Sequence, residues 1–322
     1  MKTDDSDPFT ALTEALEHSA AAGQPDPEVL SALLSHARSQ PLADYPATAR
    51  RLRYAAWRVG LKATAPVAGL VAADPGMAAL LLHSPNGWHR DAALLRLPTP
   101  RTAFDFAALL DRLDDWVPEL RRLAETLFQR QALVIPPGIV AEVALVRLSR
   151  IEGARRISTV GHRLWSGLLA RTDVRDALIQ RLRDDRGRPV RLLFLRLLET
   201  PGYDAALPVL AREAAHPSIR AASLWWQMEG QVSYAGAGTA FVPGVGWRPR
   251  QGRRPLAITP DRAALMHHAA RDRSSQVRKV AAEMLRRFAA TDPEGAQALA
   301  RKLARDRNTG VRQRADWFLT PR

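Results

Sequence analysis

An acidic residue followed five and six positions later by an aliphatic residue and an arginine recurs along this chain, each time at the start of an apolar run. The two clearest copies read Asp272-Arg-Ser-Ser-Gln-Val277-Arg278 and Asp306-Arg-Asn-Thr-Gly-Val311-Arg312. Asp185-Arg-Gly-Arg-Pro-Val190-Arg191 and Asp115-Trp-Val-Pro-Glu-Leu120-Arg121 are earlier copies. A sequence unit that returns at matching offsets is a structural unit that returns, so the chain folds as an array whose core grows along an axis. Arginines at the equivalent position are Arg90, Arg121, Arg191, Arg220, Arg278 and Arg312, spaced by 31, 70, 29, 58 and 34 residues. The interval of 70 holds one degenerate unit near 155–165, and the interval of 58 holds an insertion.

Each unit reads as a pair of helices. Asp7-Pro8, Asp26-Pro27, Thr259-Pro260 and Asp292-Pro293 place a capping side chain before a proline suited to the first helical position. Gly23 and Gly60 fall where helices stop. Within 275–289, Val277, Val280, Ala281, Met284 and Phe288 share one stripe, with Lys279, Glu283, Arg286 and Arg287 opposite. The spacing predicts first helices over 99–113, 136–151, 173–182, 204–215, 259–270 and 292–304. Second helices follow over 117–130, 155–170, 188–198, 217–228, 275–289 and 309–319. Upstream, Pro66–Leu82 pairs with Asn86–Leu97 and Pro27–Ser39 with Pro46–Val59, while Pro8–Ala22 serves as a capping helix. The helix 188–198 is apolar almost all round, as suits a central unit.

These hairpins resemble HEAT or HEAT-like repeats. The resemblance implies an all-α, right-handed α-α solenoid, a superhelix of armadillo-like kind, formed by residues 1–322 as a single array. Acidic capping helices and a first weak hairpin would occupy 1–60, repeats 66–228, a Gly/Arg-rich irregular insertion 229–259, and basic repeats 259–322. In that family an aspartate in the turn and an arginine six residues later form a ladder between neighbouring repeats. The pattern falls here on Asp115 and Arg121, Asp185 and Arg191, Asp272 and Arg278, and Asp306 and Arg312. Ser84 stands in the acid's place before Arg90 and Ala214 before Arg220, so the ladder is expected to weaken at those two joints. A buried arginine needs a paired acceptor, which makes these residues structural rather than ligand-binding.

Charge points to a partner rather than to a fold. The formal net charge is +14, but residues 1–48 hold two basic and eight acidic side chains while 248–322 hold eighteen basic and seven acidic ones. Nearly every cation is arginine, the lysines being Lys2, Lys62, Lys279 and Lys302. No apolar run approaches the roughly 18 residues that span a bilayer, and the acidic start lacks a signal peptide's basic, then apolar, pattern. The expectation is therefore a cytoplasmic protein with no membrane contact. The chain has no cysteine, which excludes disulfides, thiolate catalysis and cysteine metal sites.

The repeat fails between about Glu229 and Thr259, where six glycines are interleaved with Tyr234, Phe241 and Trp247 and end in a run of arginines. Alternation around Gln231–Tyr234 and Thr239–Val242 permits a small β-hairpin. Arginines beside an exposed aromatic are what phosphate contact and base stacking use. Candidate binding residues are therefore Trp247, Arg248, Arg250, Arg253 and Arg254, joined by Lys279, Arg286 and Arg287 on the following repeat.

Catalytic signatures are missing. The eight histidines are scattered, and His267-His268 occupy successive helical positions that face apart. No HExxH spacing, nucleophile elbow or phosphate-binding glycine loop occurs, so no catalytic, cofactor or metal residue is expected. Asp114-Asp115 and Asp184-Asp185 lie in repeat turns, where capping accounts for them. Of the adjacent Trp225 and Trp226, one belongs in the core and the other is expected to be partly covered by the 229–259 insertion or to face a groove. The leading expectation is a non-enzymatic scaffold for an acidic protein surface or a nucleic-acid backbone. The alternative implied by the resemblance is a DNA-repair enzyme of the HEAT-like alkylpurine glycosylase type, with no residue here matching its catalytic set.

Overall fold

The computed structural model describes residues 7–63, 66–242 and 246–320 and, of these, all side chains except those of 188 and 235–251. The described residues are mostly helical, with a single two-stranded sheet. The chain divides into two compact units, Met1–Val174 and Arg175–Arg322.

The first unit contains α1 (Pro8–Ala21), α2 (Pro27–Ser39), α3 (Tyr45–Lys62), α4 (Val67–Ala73) and α5 (Pro75–Leu81). It continues with α6 (Gly87–Arg96), α7 (Ala103–Leu113), α8 (Pro118–Gln131), α9 (Pro137–Glu152) and α10 (Thr159–Ala170). Helix α11 (Thr172–Asp184) spans the boundary. Helix α7 packs on its hairpin partner α8 and on the next first helix α9, and α6 packs on α8. The α7–α8 hairpin thus packs both internally and against the helices on either side of it. Phe106 anchors this core, with its ring centroid 6.0 Å from Phe128 and 6.3 Å from Trp165.

The second unit continues with α12 (Arg188–Leu197), α13 (Leu207–Glu213), α14 (Pro217–Glu229), α15 (Arg262–Ala269) and α16 (Ser275–Glu283). It closes with α17 (Leu285–Ala289), α18 (Pro293–Leu303) and α19 (Thr309–Leu319). Its continuous core runs from Leu224 and Met228 through Met266, Val277, Leu285 and Phe288 to Leu303 and Val311. Each such side chain contributes about 1.5–3 kcal/mol by leaving water.

Several helices depart from the predicted spans for local reasons. The helix expected over 66–82 is cut at Asp74, whose carboxylate caps α5 through the Gly76 N–H at 2.6 Å, with Pro75 at the first position. The span 204–215 opens as a 3-10 turn, Pro201–Ala206, before α13. The span 259–270 starts only at Arg262, because Asp261 and not Thr259 provides the cap. Gly60 ends nothing: it lies inside α3, where an added Cβ would come within 2.5 Å of the His89 ring. Helix α12 is one-sided rather than apolar all round, with Val190, Leu193, Phe194 and Leu197 buried and Leu192 and Leu195 exposed. Trp226 is buried and stacks on Phe194 at 5.3 Å, while Trp225 is exposed.

The insertion expected to be irregular is an antiparallel hairpin, β1 (Gln231–Val242) and β2 (Gly246–Pro255). Both segments that alternate in sequence lie on β1, and their partners come from the arginine run of β2. The register shifts between Ala235 and Thr239, across the glycines at 236 and 238, which is where an irregular ladder is tolerated. Gly230, at φ 71°, turns α14 into β1. Tyr234 opposes Gly252, where a Cβ would approach its ring to 2.4 Å, so the aromatic ring covers the bare glycine.

Candidate functional site

The turn motif makes a ladder, with a connectivity that the spacing does not reveal. Arg90 donates Nε and Nη2 to the two oxygens of Asp115 at 2.9 and 3.0 Å, and Nη1 to the Ser84 and Pro85 carbonyls at 2.8 and 2.9 Å. Arg220 grips Asp272 at 2.8 and 2.9 Å and the carbonyls of Ala214 and Ala215 at 2.6 and 3.3 Å. Arg278 holds Asp306 at 2.6 and 3.0 Å and the carbonyls of Asp272 and Arg273 at 2.8 and 3.2 Å. Each arginine clips its own turn through carbonyls and reaches forward to the next acid.

The weakening expected at Ser84 and Ala214 therefore does not fall on Arg90 and Arg220, since any residue can offer a carbonyl. It falls one unit earlier, on Arg191, which is exposed and for which the acid position of the next motif is Ala214. Arg121 bonds the Asp115 carbonyl at 2.7 Å, and the acid position of the following turn holds Arg156. In that degenerate unit His162 takes the arginine's place. Arg312 closes the series on the carbonyls of Asp306 and Arg307 at 2.8 and 3.1 Å. Among the described residues Asp185 pairs with Arg181, at 3.9 Å, and its buried Oδ2 accepts no hydrogen bond.

Electrostatics follow these contacts. Burial pushes Asp272 up, but the Arg220 fork and the Ser274 N–H outweigh it and hold the carboxyl below its usual range. The Arg278 hydrogen bonds lower Asp306 more than its burial raises it. These aspartates stay charged, accept their forks and are unavailable to a ligand.

The predicted binding residues stand in different surroundings where their side chains are described. The side chains of Trp247, Arg248 and Arg250 lie outside the described residues. Arg253 is exposed. The Arg254 guanidinium clasps the buried Asp204 carboxylate at 2.8 and 2.6 Å and donates to the carbonyls of Leu198, Thr200 and Pro255. It fastens the hairpin to the 3-10 turn, and burial of Asp204 required such a cation. Arg287 pairs with Glu229 at 2.9 Å, and Arg286 lies 3.6 Å over the Trp317 ring. The Lys279 stem runs along Gly310, where a Cβ would meet it at 2.9 Å.

A second cationic feature lies in the first unit, where the turns after α7 and α9 meet. A cavity of about 230 Å³ is lined by Arg53, Arg90, Arg112, Arg147, Arg150 and Arg156 against Asp111, Asp114 and Asp115. Trp116, also in the lining, is 66% exposed and lies 5.8 Å under the Arg90 guanidinium. Arg112 adds a bond to Asp115 at 2.8 Å, so one carboxylate serves two guanidiniums. Arg147 pairs with Asp111, which also accepts the Tyr45 hydroxyl at 3.0 Å. Arg156 holds Asp114 through its backbone N–H at 3.1 Å and through Nε on the carbonyl at 2.9 Å.

Burial also shapes Tyr45, the partner of Asp111, and His83 beside it. Burial and then Asp111 raise the Tyr45 hydroxyl well above its ordinary value, so it remains a donor. His83, packed against Tyr45 and Phe104, falls to about 3 through burial and the nearby Arg112, and is neutral. Two polar hydrogens of the lining are unused: the buried Nε atoms of Arg112 and Arg147 have no acceptor. The cavity was not legible as a cluster, because its residues come from four separate segments. Its one linear trace is the motif break that puts Arg156 where an aspartate is due.

Among the described residues no three His, Asp or Glu side chains gather as a metal-binding set, and no helix is long and apolar enough to cross a membrane. The chain matches no family model, no curated protein and no solved structure, so its site must be read from its own residues.

Proposed function

We propose that this protein is a non-enzymatic scaffold of HEAT-like hairpins that binds a polyanion, foremost a nucleic-acid backbone. One observation carries the reading: once the ladder arginines are given their internal partners, exposed cations are still left over. Arg53 and Arg150 make no ion pair among the described residues, and Arg253 is exposed on the hairpin. The net charge of +14 has the same sign. Such groups neutralise phosphates and release counterions, which makes affinity fall as salt rises. The repeat contacts inside each unit support the HEAT-like reading, since first helices pack on first helices and second on second.

The test is a salt series of binding to duplex DNA. A scaffold engaging several phosphates should give a slope of log affinity against log salt of about −0.9 per phosphate neutralised. A slope near zero would remove nucleic acid and leave an acidic protein surface as the partner. Release of bases from alkylated DNA would instead establish the glycosylase alternative. Against that alternative, each carboxylate lining the cavity is already held by a guanidinium.

A further inference from the structure

We propose that the cavity between the turns after α7 and α9 is a binding site for a phosphoryl dianion, the phosphate of a monoester. The charge balance leads there first. Six arginines face three aspartates, a surplus of three positive charges. The cavity also lies at the C-terminal ends of α7 and α9, which contribute about half a negative charge each. About two positive charges are left, and a phosphate monoester near neutral pH carries about −1.5 to −2.

The second observation is the way Arg147 is set in the lining. Arg147 is 3% exposed, lines the cavity and leaves its Nε–H without an acceptor, as does Arg112. Its partners hold Arg147 in place: Asp111 takes one terminal nitrogen, and the Tyr45 ring lies 4.5 Å beneath the guanidinium. The planar fork of arginine, offering two parallel N–H groups, suits the tetrahedral oxygens of phosphate.

Size and rim narrow the ligand. At about 230 Å³ the cavity is smaller than the ~300–1,000 Å³ of sites that enclose drug-sized molecules. It holds the phosphoryl group, and the rest of the ligand projects outward past Trp116. The exposed indole gives a sugar or base a face on which to stack. Arg53 and Arg150, exposed and unpaired among the described residues, stand at the same lining and complete the cationic mouth. The degenerate turn explains how the surplus arose: Arg156 adds a positive charge where the ladder would have placed a negative one.

A phosphate monoester can arrive as a small free anion or as the phosphorylated end of a nucleic-acid strand. The inference does not rest on the scaffold reading, because it fails on inorganic phosphate alone and that reading fails on the DNA salt series. The experiment is calorimetric titration of the full chain with inorganic phosphate at fixed ionic strength. Matching titrations use an oligonucleotide with a 5′-phosphate and the same strand with a 5′-hydroxyl. One saturable phosphate per chain is expected. Arg53→Ala and Arg150→Ala should each weaken it by about tenfold, as for the loss of one charge-assisted contact, with melting temperature unchanged. Tighter binding of the 5′-phosphorylated strand than of either the hydroxyl strand or free phosphate identifies a strand end. Equal binding of the two strands with retained phosphate binding identifies a free anion. Absence of saturable phosphate binding, or binding unaltered in the folded Arg53→Ala, Arg150→Ala double variant, overturns the proposal.

Discussion

The two units use the same turn motif to opposite electrostatic effect. In the second, Arg220 meets Asp272 and Arg278 meets Asp306, one guanidinium to one carboxylate, each fork also clipping two carbonyls. Those two rungs are balanced and consume their own charge. In the first, Arg90 and Arg112 share Asp115, and the next turn offers Arg156 instead of an acid. One sign change in a repeat thus turns a stabilising rung into a cationic cavity. The general lesson is that in a repeat array the informative position is where the ladder fails, since a satisfied rung has no valence left for a ligand.

The sharpest way to break this comparison is to remove one side of a balanced rung. Arg220→Ala leaves the buried Asp272 carboxylate without its fork, and should cost about 3–5 kcal/mol in denaturant unfolding. A loss below 1 kcal/mol would mean that the rung does not hold the second unit together. Arg254→Ala should cost nearly as much, about 3 kcal/mol or more, by stranding buried Asp204. The loss should appear as faster amide exchange in 198–206, with little effect on DNA affinity. A selective loss of affinity would restore Arg254 to a binding role.

Acid should separate the units. His83 has its folded pKa depressed to about 3 from 6.5, so the stability it contributes is present above 6.5 and is lost as pH falls towards 3. The first unit should then weaken by up to about 1.4 kcal/mol per pH unit across that window, read from amide exchange around α5 and α7. His83→Phe, which keeps the aromatic cluster with Tyr45 and Phe104, should flatten the slope. Asp272 and Asp306 have folded pKa values below the usual 3.8, so their contribution is complete above that value and is lost only below it. Exchange in the second unit should accordingly hold steady down to about pH 4.

Smaller effects test the charge inversion itself. Arg156→Asp restores the acid of the motif but gives up its bonds to Asp114, so stability should change by only about 1 kcal/mol. Phosphate affinity should nevertheless fall, because the cavity surplus drops from three charges to one. Trp317→Ala, which removes the ring under Arg286, should cost about 0.5–1 kcal/mol beyond its lost packing. Both values are accessible from urea midpoints.

Much of the helical layout was readable from local rules. Asp26-Pro27 and Asp292-Pro293 do cap their helices, the carboxylates accepting from Glu28 and Gly295 N–H groups at 2.8 Å, because capping needs only neighbours in sequence. The insertion was less readable. Its glycines weaken any strand signal, and the ladder that orders β1 joins residues up to 24 positions apart, Gln231 with Pro255. Arg254 looked like part of a basic run since its partner Asp204 is 50 residues away. The cavity of the first unit was the least visible, because the partners of Arg147, Asp111 and Tyr45, lie on separate helices.

By itself, the sequence determined the unit of construction: caps, prolines and apolar stripes act over a few residues, and a motif repeated at constant offsets states its own period. The tertiary structure alone decided which acid each arginine holds, and hence which arginines are spent. Those pairings join neighbouring hairpins, and a guanidinium chooses among carboxylates by distance and burial, quantities that exist only once the helices have packed. The charge was written in the chain, but its availability was settled by folding.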